Sequence, residues 1–138
     1  MNEPTKIDFS YRRVRRIDDL TDLVAMLFPG NKNQQHAAAR ILITLRTAKQ
    51  PIPTLVDLEC CFDISRRTLQ RARAKLARLG LIEHVTWMNS RYGGQQGWRL
   101  SSRTSSALRA LADKIEGWQK DDRPERREKD ERLVGLLN

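Results

Sequence analysis

The sequence predicts a mostly α-helical fold with one small β-hairpin. Three observations predict it. Apolar residues recur at helical steps of three and four in several segments between Leu20 and Trp118. Pro, Gly, Ser and Asp stand where those segments begin and end. Two short extended stretches, 83–88 and 97–100, flank a polar loop that contains Gly93-Gly94.

Taken in order, residues 1–9 have neither helical nor strand periodicity and lead into the basic run Tyr11-Arg12-Arg13-Val14-Arg15-Arg16. Residues 1–17 therefore read as a flexible basic arm. From Asp18, the residues Leu20, Leu23, Val24, Leu27 and Phe28 share one helical face. Asp18, Asp19 and Asp22 load its first turn, at the positive end of the helix dipole, and Pro29-Gly30 stops it. A second helix runs from about Asn33 to Ala48 with Ala38, Ile41, Leu42 and Leu45 on one side, and the stiff connector 50–53 follows. Thr54, with Asp57 three residues on, reads as the N-cap of a short helix over 55–61. Phe62-Asp63-Ile64 form a turn whose apolar residues can plug the angle to the next helix. Ser65 caps that helix, which runs to Leu79 with Gly80 as its C′ residue. Trp87 and Trp98, one on each extended stretch, are placed to form a cross-strand pair. The last strong helix, 104–120, carries the stripe Leu108, Leu111, Ala112, Ile115 and Trp118. In 121–132 every residue but Pro124 is charged. A helix begun at Pro124 and a disordered tail over 121–138 both fit that pattern.

Length and charge narrow the function classes. The chain has 138 residues, 16.0 kDa and a net charge of +9, with a sequence pI near 10.3. That suits one domain with appendages and a polyanionic partner. Residues 64–103 hold a net +8 and the arm 10–16 a further +4, while the rest of the chain is slightly acidic. Such segregation marks a binding face, since an ordinary solvated surface mixes both signs. No apolar run approaches ~18 residues, so no membrane helix is expected. The N-terminus has no apolar core of a secretory signal, and adjacent Cys60 and Cys61 cannot build a disulfide framework. A cytoplasmic, nucleoid-associated protein is the expectation. His36, His84 and the two cysteines lack metal-ligand spacing, and the cysteines fit the end of the short helix as small apolar residues better than they fit zinc binding. Gly93-Gly94 is not followed by the Lys-Ser/Thr of a phosphate-binding loop, and no paired-acid motif occurs. Hence neither enzyme activity, metal nor cofactor is expected, and no small-molecule effector is legible.

Residues 54–79 have the order helix, turn, basic helix, and 83–100 follow as a hairpin. The string Ser65-Arg66-Arg67-Thr68-Leu69-Gln70-Arg71, then Leu76, then Leu79-Gly80-Leu81-Ile82-Glu83, resembles a signature of the winged helix-turn-helix superfamily of DNA-binding proteins. The resemblance covers about residues 33–100. It does not extend to the DeoR type, which usually follows the arginine with Asp-Leu where Ala72-Arg73 stand here. It implies a winged-helix domain over 18–120 with flanking N- and C-terminal helices, the helix-turn-helix at 54–79 and the wing at 83–100.

The residues carry the same reading by themselves. On a wheel of ~100° per residue, Leu69, Ala72, Leu76 and Leu79 cluster on one side of the basic helix. Arg67, Gln70, Arg71, Ala74 and Arg78 lie opposite, and no acid occurs from Ser65 through Ile82. Arginine reads guanine and glutamine reads adenine with two hydrogen bonds in the major groove. Recognition helices read mainly from their N-terminal part, which makes Arg66, Arg67, Gln70 and Arg71 the base-contact candidates. Ser65, Thr68 and Lys75, with the helix N-terminus, suit phosphates, and Arg78 extends the basic face. Arg91 and Tyr92 stand at the expected wing tip, and Arg12, Arg13, Arg15 and Arg16 suit a minor-groove arm. A solvated hairpin tip and a helix with one basic face fit those two segments as well.

The stripe Leu108, Leu111, Ile115 and Trp118 fits either packing within the chain or a homodimer seam, and a two-fold operator favours the dimer. The expected function is sequence-specific binding of double-stranded DNA by a homodimeric transcriptional regulator. Two alternatives share the module. One is a replication or plasmid/phage maintenance protein, since Gly97-Trp98-Arg99-Leu100 resembles winged-helix modules attached to replication proteins. The other is a protein-interaction adaptor with an acidic partner.

Overall fold

Capping side chains set the helix boundaries in the computed structural model, which describes residues 7–86 and 96–137. Helix α1 is Tyr11–Arg15, α2 Leu20–Leu27, α3 Lys32–Thr47, α4 Asp57–Cys61 and α5 Arg66–Leu79. Strands β1 (Ile82–Thr86) and β2 (Gln96–Leu100) follow, then α6 (Arg103–Lys120) and α7 (Pro124–Gly135). Asp19 accepts the Asp22 N–H at 3.0 Å to open α2, and Asn31 accepts the Gln34 N–H at 3.0 Å to open α3. Ser65 accepts the Thr68 N–H at 3.1 Å to open α5. Each bond satisfies a donor that the first helical turn leaves without an intrahelical partner. At the far end of α5, Gly80 takes φ 89°, and the N–H groups of Gly80 and Leu81 both reach the Leu76 carbonyl. That left-handed stop turns the chain directly into β1.

The chain divides into two compact units, Met1–Ser102 and Arg103–Asn138. In the first, α3 packs against α2, α5 and β2, while α5 also packs on α4 and β1. The buried cluster draws Val24, Leu27 and Phe28 from α2 and its end, Ala37, Ala38, Ile41 and Leu45 from α3, and Leu69, Ala72 and Leu76 from α5. Leu58 and Ile64 fill the angle between α4 and α5, and Ile82 closes the cluster from β1. At about 1.5–3 kcal/mol per fully buried large aliphatic or aromatic side chain, these residues dominate the stability of the unit. In the second unit neither helix has a buried residue. The Trp118 indole N–H donates to Asp130 Oδ2 at 2.9 Å, and Arg123 pairs with Asp121 at 2.8 Å. The hydrogen bond from Arg123 holds the Asp121 carboxyl down at about 2.

Several expectations need correction. Of the expected arm, residues 7–17 are not simply free: Ser10 caps α1, and Ile7 and Ile17 pack against the core. Thr54 does not cap α4. Its hydroxyl accepts the Val56 N–H at 3.2 Å, shaping the turn before a helix that starts at Asp57. Of the two readings left open for 121–138, the helix begun at Pro124 is the one present, and the proline ring is tolerated at a first-turn position that needs no N–H. The antiparallel register pairs Trp98 with His84, and Trp87 lies outside the described residues. The His84 and Trp98 rings meet edge-on at 5.0 Å.

One element has no counterpart in the sequence reading. Ile52, in the connector, exchanges both backbone hydrogen bonds with Trp98, at 3.0 and 2.8 Å, and so adds an isolated bridge to β2. Gly97 makes this possible. Its φ is +148°, and a Cβ there would lie 2.4 Å from the Ile52 carbonyl carbon and oxygen. Gly97→Ala is therefore expected to cost about 3 kcal/mol or more by combining backbone strain with that clash. Urea unfolding checks this; a midpoint equal to that of the parent chain would mean that the Ile52–Trp98 bridge is dispensable.

Candidate nucleic-acid interface

Helix α5 has a sharp division between its faces. Leu69, Ala72 and Leu76 are buried, whereas Arg66, Arg67, Gln70, Arg71, Ala74 and Arg78 are exposed. Among the described residues, Arg66, Arg67, Arg71 and Arg78 form no ion pair with a carboxylate. The first turn of α5 contains no acid and begins with two arginines, at the end where the helix dipole is already positive. That placement is unfavourable by a few tenths of a kcal/mol to about 1 kcal/mol, and an approaching anion reverses its sign. Ser65 and Thr68 are engaged with each other: the Ser65 hydroxyl donates to Thr68 Oγ1 at 2.8 Å while accepting the Thr68 N–H. Ser65 remains exposed and Thr68 is half-buried.

Two basic residues of α5 do not belong to the open face. The Lys75 side chain is partly buried, and its ammonium lies 4.8 Å from the centre of the Phe28 ring. Desolvation, and secondarily the charge of Arg78, lowers its pKa. Arg73 stacks its guanidinium 5.1 Å from the Trp98 ring centre and ties α5 to the hairpin. Its place at the edge of the apolar stripe is the sequence signal for this, and the signal is weak because arginine there is equally compatible with solvent. Arg99 is likewise engaged, in a 2.7 Å ion pair with Glu83 directly across the strands.

The arm residues separate. Arg12, Arg15 and Arg16 gather with Tyr11, and the Arg15 guanidinium sits 5.9 Å from the Tyr11 ring centre. Arg13 instead shares a recess with Asp8 and the turn Pro29-Gly30. All four arginines are exposed. Upstream of them, Ile7 and Phe9 line a groove together with Gln34 of α3 and Arg71, Ala74, Lys75, Arg78 and Leu79 of α5. The lead-in therefore runs along the second half of the α5 face, which leaves Arg66, Arg67 and Gln70 as the part clear of it. Sequence reading missed this because two isolated apolar residues have no period.

Arg91 and Tyr92 lie outside the described residues. Cys60 and Cys61 are exposed rather than packed, and the Cys60 thiol donates to the Asp57 carbonyl at 3.5 Å. Among the described residues no cluster of His, Cys, Asp and Glu is placed to hold a metal ion, and no helix is long and apolar enough to cross a membrane. In the second unit, Leu108, Leu111, Ile115 and Trp118 are all exposed. No family model matches the chain, and comparison with curated proteins and with solved structures finds no match.

The Ser65 cap is the element that orients the first turn of α5. Ser65→Ala is expected to lower the unfolding free energy by about 1 kcal/mol, and Ser65→Asn to restore most of it. Equilibrium denaturation of the two variants checks this; equal loss in both would show that the hydroxyl pair with Thr68, rather than the cap, is what matters.

Proposed function

We propose that the chain is a sequence-specific double-stranded DNA-binding protein of the winged helix-turn-helix kind, a homodimeric transcriptional regulator that lays α5 in the major groove. The observation that carries this is the acid-free, exposed basic face of α5, whose Arg66, Arg67, Arg71 and Arg78 pair with no carboxylate among the described residues, with Arg66, Arg67 and Gln70 at its open N-terminal end. Those side chains have the donors for guanine and adenine edges, and the helix N-terminus with Ser65 has the donors for a phosphate. The Ile52 bridge supports the reading of β1 and β2 as a wing, because it anchors the hairpin to the connector before α4. Arg91 and Tyr92 would then reach the DNA beside the groove that α5 occupies, and Arg12, Arg15 and Arg16 would add backbone contacts.

The homodimer rests on the α6 stripe. Leu108, Leu111, Ile115 and Trp118 recur at steps of three, four and three, the spacing of a helix–helix seam, and all four are exposed in the single chain. A second copy would cover them, and a two-fold protein suits a two-fold operator.

Two measurements test the two halves of this reading. Arg67→Ala is expected to weaken binding to the preferred duplex by ~1–3 kcal/mol and to relax preference at one base pair, as loss of a bidentate contact does. Fluorescence anisotropy against single-base variants of the site checks it, and equal weakening on every duplex would make Arg67 a backbone contact only. Ile115→Glu should convert a dimer to a monomer in analytical ultracentrifugation. Ile115 is a cleaner probe than Trp118, whose indole is bonded to Asp130 within the chain. A dimer that survives Ile115→Glu would place the seam elsewhere.

A further inference from the structure

The groove between the lead-in and the second half of α5 has a chemistry that duplex DNA does not use fully. One side is cationic, with Arg71, Lys75 and Arg78, and among the described residues no acid lines the groove. Among the described residues Lys75 has no carboxylate partner; its ammonium lies over the Phe28 ring, where partial loss of hydration and the neighbouring Arg78 both work against its charge. Three cations packed along one helix face repel one another, and an anion held between them removes that cost and restores hydrogen bonds to the ammonium.

Apart from Gln34 and Ala74, the rest of the lining is large and apolar: Ile7 is half-buried against the core, Phe9 is 55% exposed, and Leu79 joins them from α5 itself. A sugar-phosphate strand would satisfy the cations but leave the Phe9 ring facing water. A small organic body bearing a carboxylate satisfies both parts of the lining: its apolar surface leaves water against Ile7, Phe9 and Leu79, and its planar anion meets the guanidinium fork of Arg71 or Arg78.

We propose that this groove binds a small carboxylate with an apolar body and that such a ligand and duplex DNA exclude each other. The second part rests on the DNA-binding function proposed above, because Arg71 and Arg78 lie on the same exposed face as Arg67 and Gln70. The ligand occupies the cations that DNA would otherwise neutralise, so its binding releases the duplex, and by linkage the duplex weakens the ligand equally.

The test uses the full chain and pyrenebutyrate, a fluorescent apolar carboxylate, beside pyrenebutanol, which has the same body without the charge, and acetate, which has the charge without the body. Saturable binding of pyrenebutyrate is expected, with pyrenebutanol and acetate each at least about tenfold weaker. Lys75→Gln, Arg71→Gln and Phe9→Ala should each weaken it by roughly three- to tenfold. Arg46→Gln, at the C-terminal end of α3, should leave it unchanged. Arg71→Gln and Phe9→Ala alter exposed side chains, so they remain informative if Lys75→Gln disturbs folding. No saturable binding, equal binding of pyrenebutanol, or indifference to both Arg71→Gln and Phe9→Ala overturns the site. Added duplex should raise the apparent Kd for pyrenebutyrate; simultaneous binding of both overturns the exclusion. If pyrenebutyrate binds and no duplex does, the groove stands while the DNA function and the exclusion fall. If duplex binds and pyrenebutyrate does not, the groove alone falls.

Discussion

The rotation of α5 about its own axis is the constraint on which the basic face depends. Leu69, Ala72 and Leu76 bury a narrow stripe against α3, where Ala37 and Ala38 are wholly excluded from solvent. Small residues on both helices allow close approach, and close approach leaves no room for a different rotation. Turning α5 by one residue would bring Gln70 or Arg73 into the core. Burying either without partners costs several kcal/mol, more for the guanidinium. The arginines therefore face outward because the stripe leaves them no alternative, and their direction is as well determined as the core itself.

Both ends of α5 convert that rotation into a placed surface. Ser65 starts the helix at a defined residue, which brings Arg66 and Arg67 into the first turn beside the free N–H groups. Gly80 ends it in a left-handed turn that delivers Ile82 to the core and β1 to its register with β2. Gly97 lets the connector residue Ile52 approach β2, and Arg73 lies over Trp98, so the hairpin is tied to both sides of the helix-turn-helix. The positive φ of Asp63, 52°, provides the sharp change of direction between α4 and α5, a conformation that Asp tolerates better than most residues.

What was legible in the sequence is what repeats or what caps. Leu69, Ala72 and Leu76 at helical spacing, the Ser65 cap and the Gly80 stop all appear in the structure where their patterns place them. Leu108 to Trp118 reads as one stripe and lies on one helix. The illegible parts are single contacts without a period. Ile52 forms one bridge rather than a strand, so no alternation announces it. Ile7 and Phe9 are two apolar residues in an otherwise polar lead-in, and their place beside α5 depends on a groove that exists only after α3 and α5 have packed. Lys75 looked like a free cation because its partner, Phe28, is 47 positions away and the attraction between a cation and a ring face leaves no sequence trace. Residue type suggests the other tryptophan as the neighbour of Trp98, whereas the register sets His84 opposite it.

The central claim is that α5 reads base edges from a two-fold assembly. Selection of bound duplexes from a randomised library, with the full chain at near-physiological salt, tests it most directly. The predicted result is an enriched pair of inverted half-sites with centres separated by about 10 base pairs or a multiple of that spacing. Recovery of duplexes with no enriched sequence would contradict it, since the basic face of α5 would then be recognising phosphate charge alone.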